Sequence, residues 1–105
     1  HAHPQAALAA RQMRLAGGMV SFVPAPREGR SSEARARRFV EATRLFTLAE
    51  SLGGVESLCE LPAVMTHGSV RGSALEVPPE LVRLSVGIEH PDDLVADVTA
   101  ALDEA

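Results

Sequence analysis

The run LVRLSVGIE at residues 81–89 constrains this chain most. Val82, Leu84, Val86 and Ile88 alternate with Leu81, Arg83, Ser85, Gly87 and Glu89, which is the period of a β-strand with one face in a core. A strand cannot stand alone, so the chain must build a sheet around it. Its centre carries a guanidinium at Arg83. A charge beside core-grade neighbours needs water or an acid, so Arg83 either lies on a solvated face or meets something anionic.

The remaining pattern supplies strands and helices to go with it. Pro4 suits a first helical turn, and residues 3–13 read as a helix with a weak stripe of Ala7, Leu8, Arg11 and Leu15, stopped by Gly17-Gly18. Residues 18–24 read as a strand ended by Pro24, and 25–32 as a turn-rich loop. Ser32 is placed to cap a second helix with Glu33 in its first turn. Ala36, Phe39, Val40, Thr43 and Phe46 follow at helical spacing, while Arg35, Arg37, Arg38, Glu41 and Arg44 fall mostly on the other, solvated side.

Residues 47–50 read as a short strand or an extended exit from the helix, Gly53-Gly54 as a tight reversal, and 55–61 as a further strand with Val55, Ser57, Cys59 and Leu61 on one face, ended by Pro62. The connection over 63–80, about 18 residues, exceeds the usual loop, which suggests function or packing against another body. Pro91, with Asp92 and Asp93, starts a last helix whose stripe is Leu94, Val98, Ala101 and Leu102. The expected fold is α/β in the α+β sense: a small, mostly antiparallel sheet of three to four strands with helices on one face. The helices would cover Val82, Leu84, Val86 and Ile88. The opposite face, with Arg83, Ser85 and Gly87, is too polar for a core and points to a partner domain or a ligand, and Gly87 would let another backbone come close.

Composition narrows the chemistry. One domain of 105 residues with 46% hydrophobic content can hold a modest core. A formal charge of −4 argues against nucleic acid or an anionic membrane as main partner, despite the arginines at 35–38. No apolar run is long enough to span a membrane, no secretory signal pattern opens the chain, and the single Cys59 excludes an internal disulfide framework; the expectation is a cytoplasmic protein. All ten basic residues are arginine, and tyrosine and tryptophan are also missing. A Schiff base to an aldehyde cofactor through a lysine amine is therefore excluded within this chain.

Several side chains are candidates for chemistry. Arg83 could clamp a carboxylate through its planar fork, or take part in a structural ion pair. Glu50 and Ser51, beside Gly53-Gly54, could hold a ligand at a turn. His67 lacks paired ligand spacing, and His1 and His3 lie near one end, so no metal is expected. Cys59 reads as a small buried hydrophobe rather than a nucleophile. No nucleophile elbow, phosphate loop or dinucleotide fingerprint is present.

The series HPQ–LAARQM–GGMVSF–LFTLAESLGGVESL–LPAVMTH–LVRLSVGIE–DDLVADV resembles the carboxy-terminal domain of the cystathionine γ-synthase and γ-lyase family, fold-type I pyridoxal-phosphate enzymes of trans-sulfuration. The resemblance runs through nearly the whole chain, weakest at 25–32 and 69–77, and Ala6 stands where many relatives have a histidine. It implies a small domain packed on a large one, with the active site between them and a tetrameric assembly. It also implies that Arg83 grips the substrate α-carboxylate, that Ser51 lies beside that carboxylate, that Glu50 borders the distal pocket, and that Thr66 is near the site.

The substrate would be cystathionine or a homoserine ester, in methionine and cysteine metabolism. Pyridoxal 5'-phosphate would be held by a large domain absent from this chain, and no catalytic residue is expected here. The chain then reads as a domain fragment, a proteolytic remnant or one half of a split enzyme, inactive alone. ELPAVMTH leans toward lyases and LEVPPELVRLSVGIE toward bacterial synthases, so both activities stay open. Alternatives are a non-catalytic amino-acid-binding module and a protein-interaction domain. The chain mixed with pyridoxal phosphate should show no Schiff-base absorbance, and a borohydride-trapped adduct on a side chain would refute this reading.

Overall fold

The computed structural model describes residues 3–27 and 29–105; His1 and position 28 of the 25–32 loop lie outside the described residues. The chain forms α1 (Ala6–Gln12), β1 (Met19–Phe22), α2 (Ser32–Ala42), β2 (Thr47–Leu48), β3 (Leu58–Glu60), α3 (Pro62–Met65), a 3₁₀ turn at Gly68–Val70, β4 (Val82–Ser85) and α4 (Pro91–Glu104). The four strands run in the order β1-β4-β3-β2. Pairings β1–β4 and β3–β4 are antiparallel and β2–β3 is parallel, so the sheet is mostly antiparallel as expected.

The register places Phe22 opposite Val82, and Val20, Leu84 and Cys59 in one cross-strand row. That face meets α2 and α4. Ala36, Phe39, Val40, Phe46, Cys59, Leu61, Val82, Leu84, Leu94 and Ala101 form the core. Phe22 and Phe39 pack edge to face with centroids 5.2 Å apart, a favoured aromatic geometry. Burial pushes the Cys59 thiol pKa up, opposed by the Thr43 hydroxyl, so the sulfur stays a protonated core atom.

Helix α2 is capped by Ser31 rather than Ser32: the Ser31 hydroxyl accepts from the Ala34 amide at 3.2 Å. Arg35 is not on the solvated side. It is 6% exposed and donates to the carbonyls of Leu102 at 2.8 Å, Ala105 at 3.2 Å, and Ala25. Arg30 adds bonds to Glu104 and Ala105, so arginines satisfy the carbonyls of the last turn of α4 and meet its negative end.

Other expectations are corrected by packing. Helix α1 stops at Gln12, before the Gly17-Gly18 pair, and buries no residue; Leu15 is 74% exposed. The strands are shorter than their alternation suggests. Residues 55–57 lie outside β3, whose three residues are all buried, so both faces are covered. Strand β4 ends at Ser85, and the helices cover only its first half: Val82 and Leu84 are buried, whereas Ile88 is 82% exposed. Pro62 ends β3 but also begins α3, so the 63–80 connection is not wholly irregular.

A buried carboxylate on α4 shapes the exit from α2. Asp97 accepts the backbone amides of Arg44 (2.8 Å), Leu45 (2.9 Å) and Phe46 (3.1 Å), turning the chain into β2. Replacing it with alanine leaves three N–H donors short of a partner. Asp97→Ala should cost about 3 kcal/mol of unfolding free energy, on the scale of lost hydrogen bonds to charged groups, as read by urea denaturation.

Candidate functional site

The polar side of β4 does not face outward as an open surface. Alternate residues of 83–89 grip the loop 51–57 in step. The Arg83 Nη2 donates to the Ser51 carbonyl at 3.1 Å, and the Ser85 hydroxyl accepts from the Gly53 amide at 2.8 Å. The Glu89 carboxylate accepts from the Ser57 amide at 2.8 Å and the Ser57 hydroxyl at 2.7 Å. Between these, the Ile88 amide donates to the Val55 carbonyl at 3.0 Å. A Cβ on Gly87 would stand 2.3 Å from the Val55 oxygen and 2.7 Å from the Glu56 carbonyl carbon, so the approaching backbone belongs to this chain.

Two loop residues use left-handed backbone. Gly53 has φ 75°, which glycine adopts freely. Ser51 has φ 143°, a sparsely populated region for a residue with a Cβ, costing about 1–3 kcal/mol. In this conformation its carbonyl receives Arg83. The resemblance implied a serine beside the carboxylate; here the Ser51 carbonyl contacts Arg83, and its hydroxyl makes no hydrogen bond among the described residues.

Across the sheet, Ser21, Arg83 and Glu60 share a row. Arg83 Nη2 lies 3.0 Å from Glu60 Oε1, with the two side chains 18% and 1% exposed. The Thr66 hydroxyl donates to the same Oε1 at 3.2 Å, from the C-terminal end of α3. His67 Nδ1 is 2.7 Å from that hydroxyl. An ionised carboxylate only accepts, so Thr66 is the donor in its contact with Glu60, and the direction of the His67 contact is set by the His67 tautomer. Of the four residues expected at the site, Arg83 and Thr66 are thus joined through Glu60, and Ser51 meets Arg83 through its carbonyl. Glu50 is exposed on the same loop and bonds to none of them.

Glu60 escaped the sequence reading, although a lone acid in one apolar strand complements a lone arginine in another. Glu89 escaped it too. Among the described residues no group of three or more His, Cys, Asp or Glu side chains could hold a metal ion, and no helix is long and apolar enough to cross a membrane.

Residues 1–103 match the family model for Cys/Met metabolism PLP-dependent enzymes. The chain belongs to that family. It is 55% identical over 100 residues to a cystathionine γ-synthase of Mycobacterium leprae, covering 95% of this chain and 24% of the relative. A cystathionine γ-lyase of Dictyostelium discoideum is 50% identical over 105 residues, covering 97% and 26%. The crystal structure of a cystathionine γ-synthase from Xanthomonas oryzae pv. oryzae, in complex with cystathionine, superposes with a TM-score of 0.82 at 47% identity, covering 98% of this chain and 26% of that one. The chain therefore spans about a quarter of the length of these relatives.

The family's cofactor is pyridoxal phosphate. The residues here do not fit its covalent attachment, which takes a lysine amine: the sequence has no lysine.

The Ser57 amide, then its hydroxyl, hold the Glu89 pKa below the usual carboxylate value. A lowered folded pKa lends stability that is complete above the unfolded value, about 4.3 for glutamate, and is lost as pH falls through the folded one. Glu89→Gln should be less stable than the parent chain near neutrality, and the two urea midpoints should converge on acidification.

Proposed function

We propose that this chain is the carboxy-terminal domain of a cystathionine γ-lyase or γ-synthase, and that it binds the α-carboxylate of the amino-acid substrate through Arg83. The observation that carries the reading is the state of that guanidinium. Both of its contacts within the described residues run through Nη2, to Ser51 and Glu60, in a mostly buried setting. Nε and Nη1 make no hydrogen bond among the described residues and keep their donors for the substrate; each carboxylate-matching fork pairs one of them with Nη2, so a two-pronged grip would share Nη2 with Ser51 and Glu60. Low exposure strengthens such a bond by keeping water away.

In this reading Ser51 and Thr66 shape the surroundings of Arg83, and Glu50, on the rim of the same loop, borders the distal part of the substrate. The rest of the enzyme, a large domain preceding this one, holds the cofactor and moves the protons, so the chain alone does not turn over substrate. Cystathionine or a homoserine ester is the proposed substrate, and further copies complete a tetramer. A cytoplasmic setting suits the lone, buried thiol of Cys59. Both γ-synthases and γ-lyases among the relatives support the sulfur amino-acid assignment without choosing between them.

Arg83 contributes binding and orientation rather than proton transfer. In the full-length enzyme, Arg83→Ala should mainly raise KM, by the equivalent of about 2–4 kcal/mol of charged hydrogen bonding. Steady-state kinetics with cystathionine, and with cysteine plus an activated homoserine, measure this; an unchanged KM would count against the role.

A further inference from the structure

We infer that Glu60 is a positioning residue for carboxylate recognition: its buried Oε1 holds Arg83 through Nη2 and so fixes the orientation in which the guanidinium meets the substrate. The inference rests on the proposed role of Arg83 and extends it to a residue that need not touch the substrate.

Three observations combine. Glu60 is 1% exposed, and the Arg83 Nη2 is 3.0 Å from its Oε1. The same oxygen takes the Thr66 hydroxyl at 3.2 Å, which fixes the carboxylate from a second element. The other oxygen, Oε2, is buried with no hydrogen-bond partner among the described residues. A buried carboxylate oxygen without a donor is unfavourable for the fold, and buried ion pairs are often replaceable by apolar side chains at no loss of stability. The unpartnered Oε2 offsets part of what the ion pair contributes to stability, and the Oε1 contact sets the orientation of Arg83.

Glu60 also places a negative charge beside the group that must attract an anion. Charge alone would make it a competitor of the substrate, and its removal would tighten binding. Anchoring has the opposite consequence, because an unheld arginine samples many rotamers and must be ordered on binding. The inference commits to anchoring as the larger effect.

The test uses the full-length enzyme with L-norvaline and L-norvaline amide as competitive inhibitors, and Glu60→Met, Glu60→Gln and Arg83→Ala as variants. Glu60→Met keeps bulk but leaves the mostly buried guanidinium unpaired, so it should melt below the parent, and the comparison of norvaline with its amide separates that loss of stability from the loss of carboxylate binding. The variant should raise the inhibition constant of norvaline about 10-fold, the scale of one lost charged hydrogen bond, and leave that of the amide unchanged. Glu60→Gln, which retains an acceptor for Arg83 and Thr66, should lie much closer to the parent.

Equal or tighter norvaline binding by Glu60→Met would overturn the inference, as would equal weakening for norvaline and its amide. Arg83→Ala separates the two layers. If it too leaves norvaline binding intact, the proposed role of Arg83 fails; if only Arg83→Ala weakens norvaline, that role stands and Glu60 has no part in it. Should Glu60→Met not fold, Glu60→Gln and Thr66→Val carry the comparison: loss of the Thr66 hydroxyl should weaken norvaline but not the amide, and no effect would overturn the inference.

Discussion

Residues 83, 85, 87 and 89 hold residues 51, 53, 55 and 57 in matching steps, and the arrangement of the polar sheet face follows from that grip. Each step uses a different interaction: a guanidinium to a carbonyl, an amide to a hydroxyl, backbone packed where a side chain would collide, and a carboxylate to an amide and hydroxyl. A loop that would otherwise wander over a sheet is tied along its length. Ser51, the loop residue with the least comfortable backbone, sits at the step made by Arg83.

The same face therefore has two layers of polar order. Nearest the sheet lies the row Ser21, Arg83 and Glu60, and above it the loop. Burying a charge there is tolerable because the ion pair is supported by a hydroxyl and a carbonyl, as buried ions require. The other face is conventional by contrast: two helices, an apolar row and a thiol kept protonated by burial.

Much of this was legible in the residues. Helical spacing at 36–40 and 94–102 marked the two packing helices, because burial on one side leaves a periodic trace, whereas Thr43 and Phe46 continue the spacing beyond the end of α2 at Ala42. The arginine in an apolar strand flagged the candidate site. Strand ends were not legible: Val86 and Ile88 continue the alternation after the helices have stopped covering the sheet, so pattern outruns packing. Arg35 was misplaced because helical position alone does not reveal that carbonyls of another helix need donors. Glu60, Glu89 and Asp97 went unseen for a related reason. Each is valuable only through a partner dozens of residues away, on a register that no local pattern contains.

The stepwise match between the two runs also sets where the chain can change length. One residue inserted between 51 and 57, or between 83 and 89, would shift every later contact by a step and bring side chains where Gly87 now leaves room for backbone. The segment 69–77 is different, since its hydrogen bonds stay within itself and its immediate neighbours. Divergent copies of this domain should therefore keep a fixed count of residues in the paired runs and vary it freely in that segment.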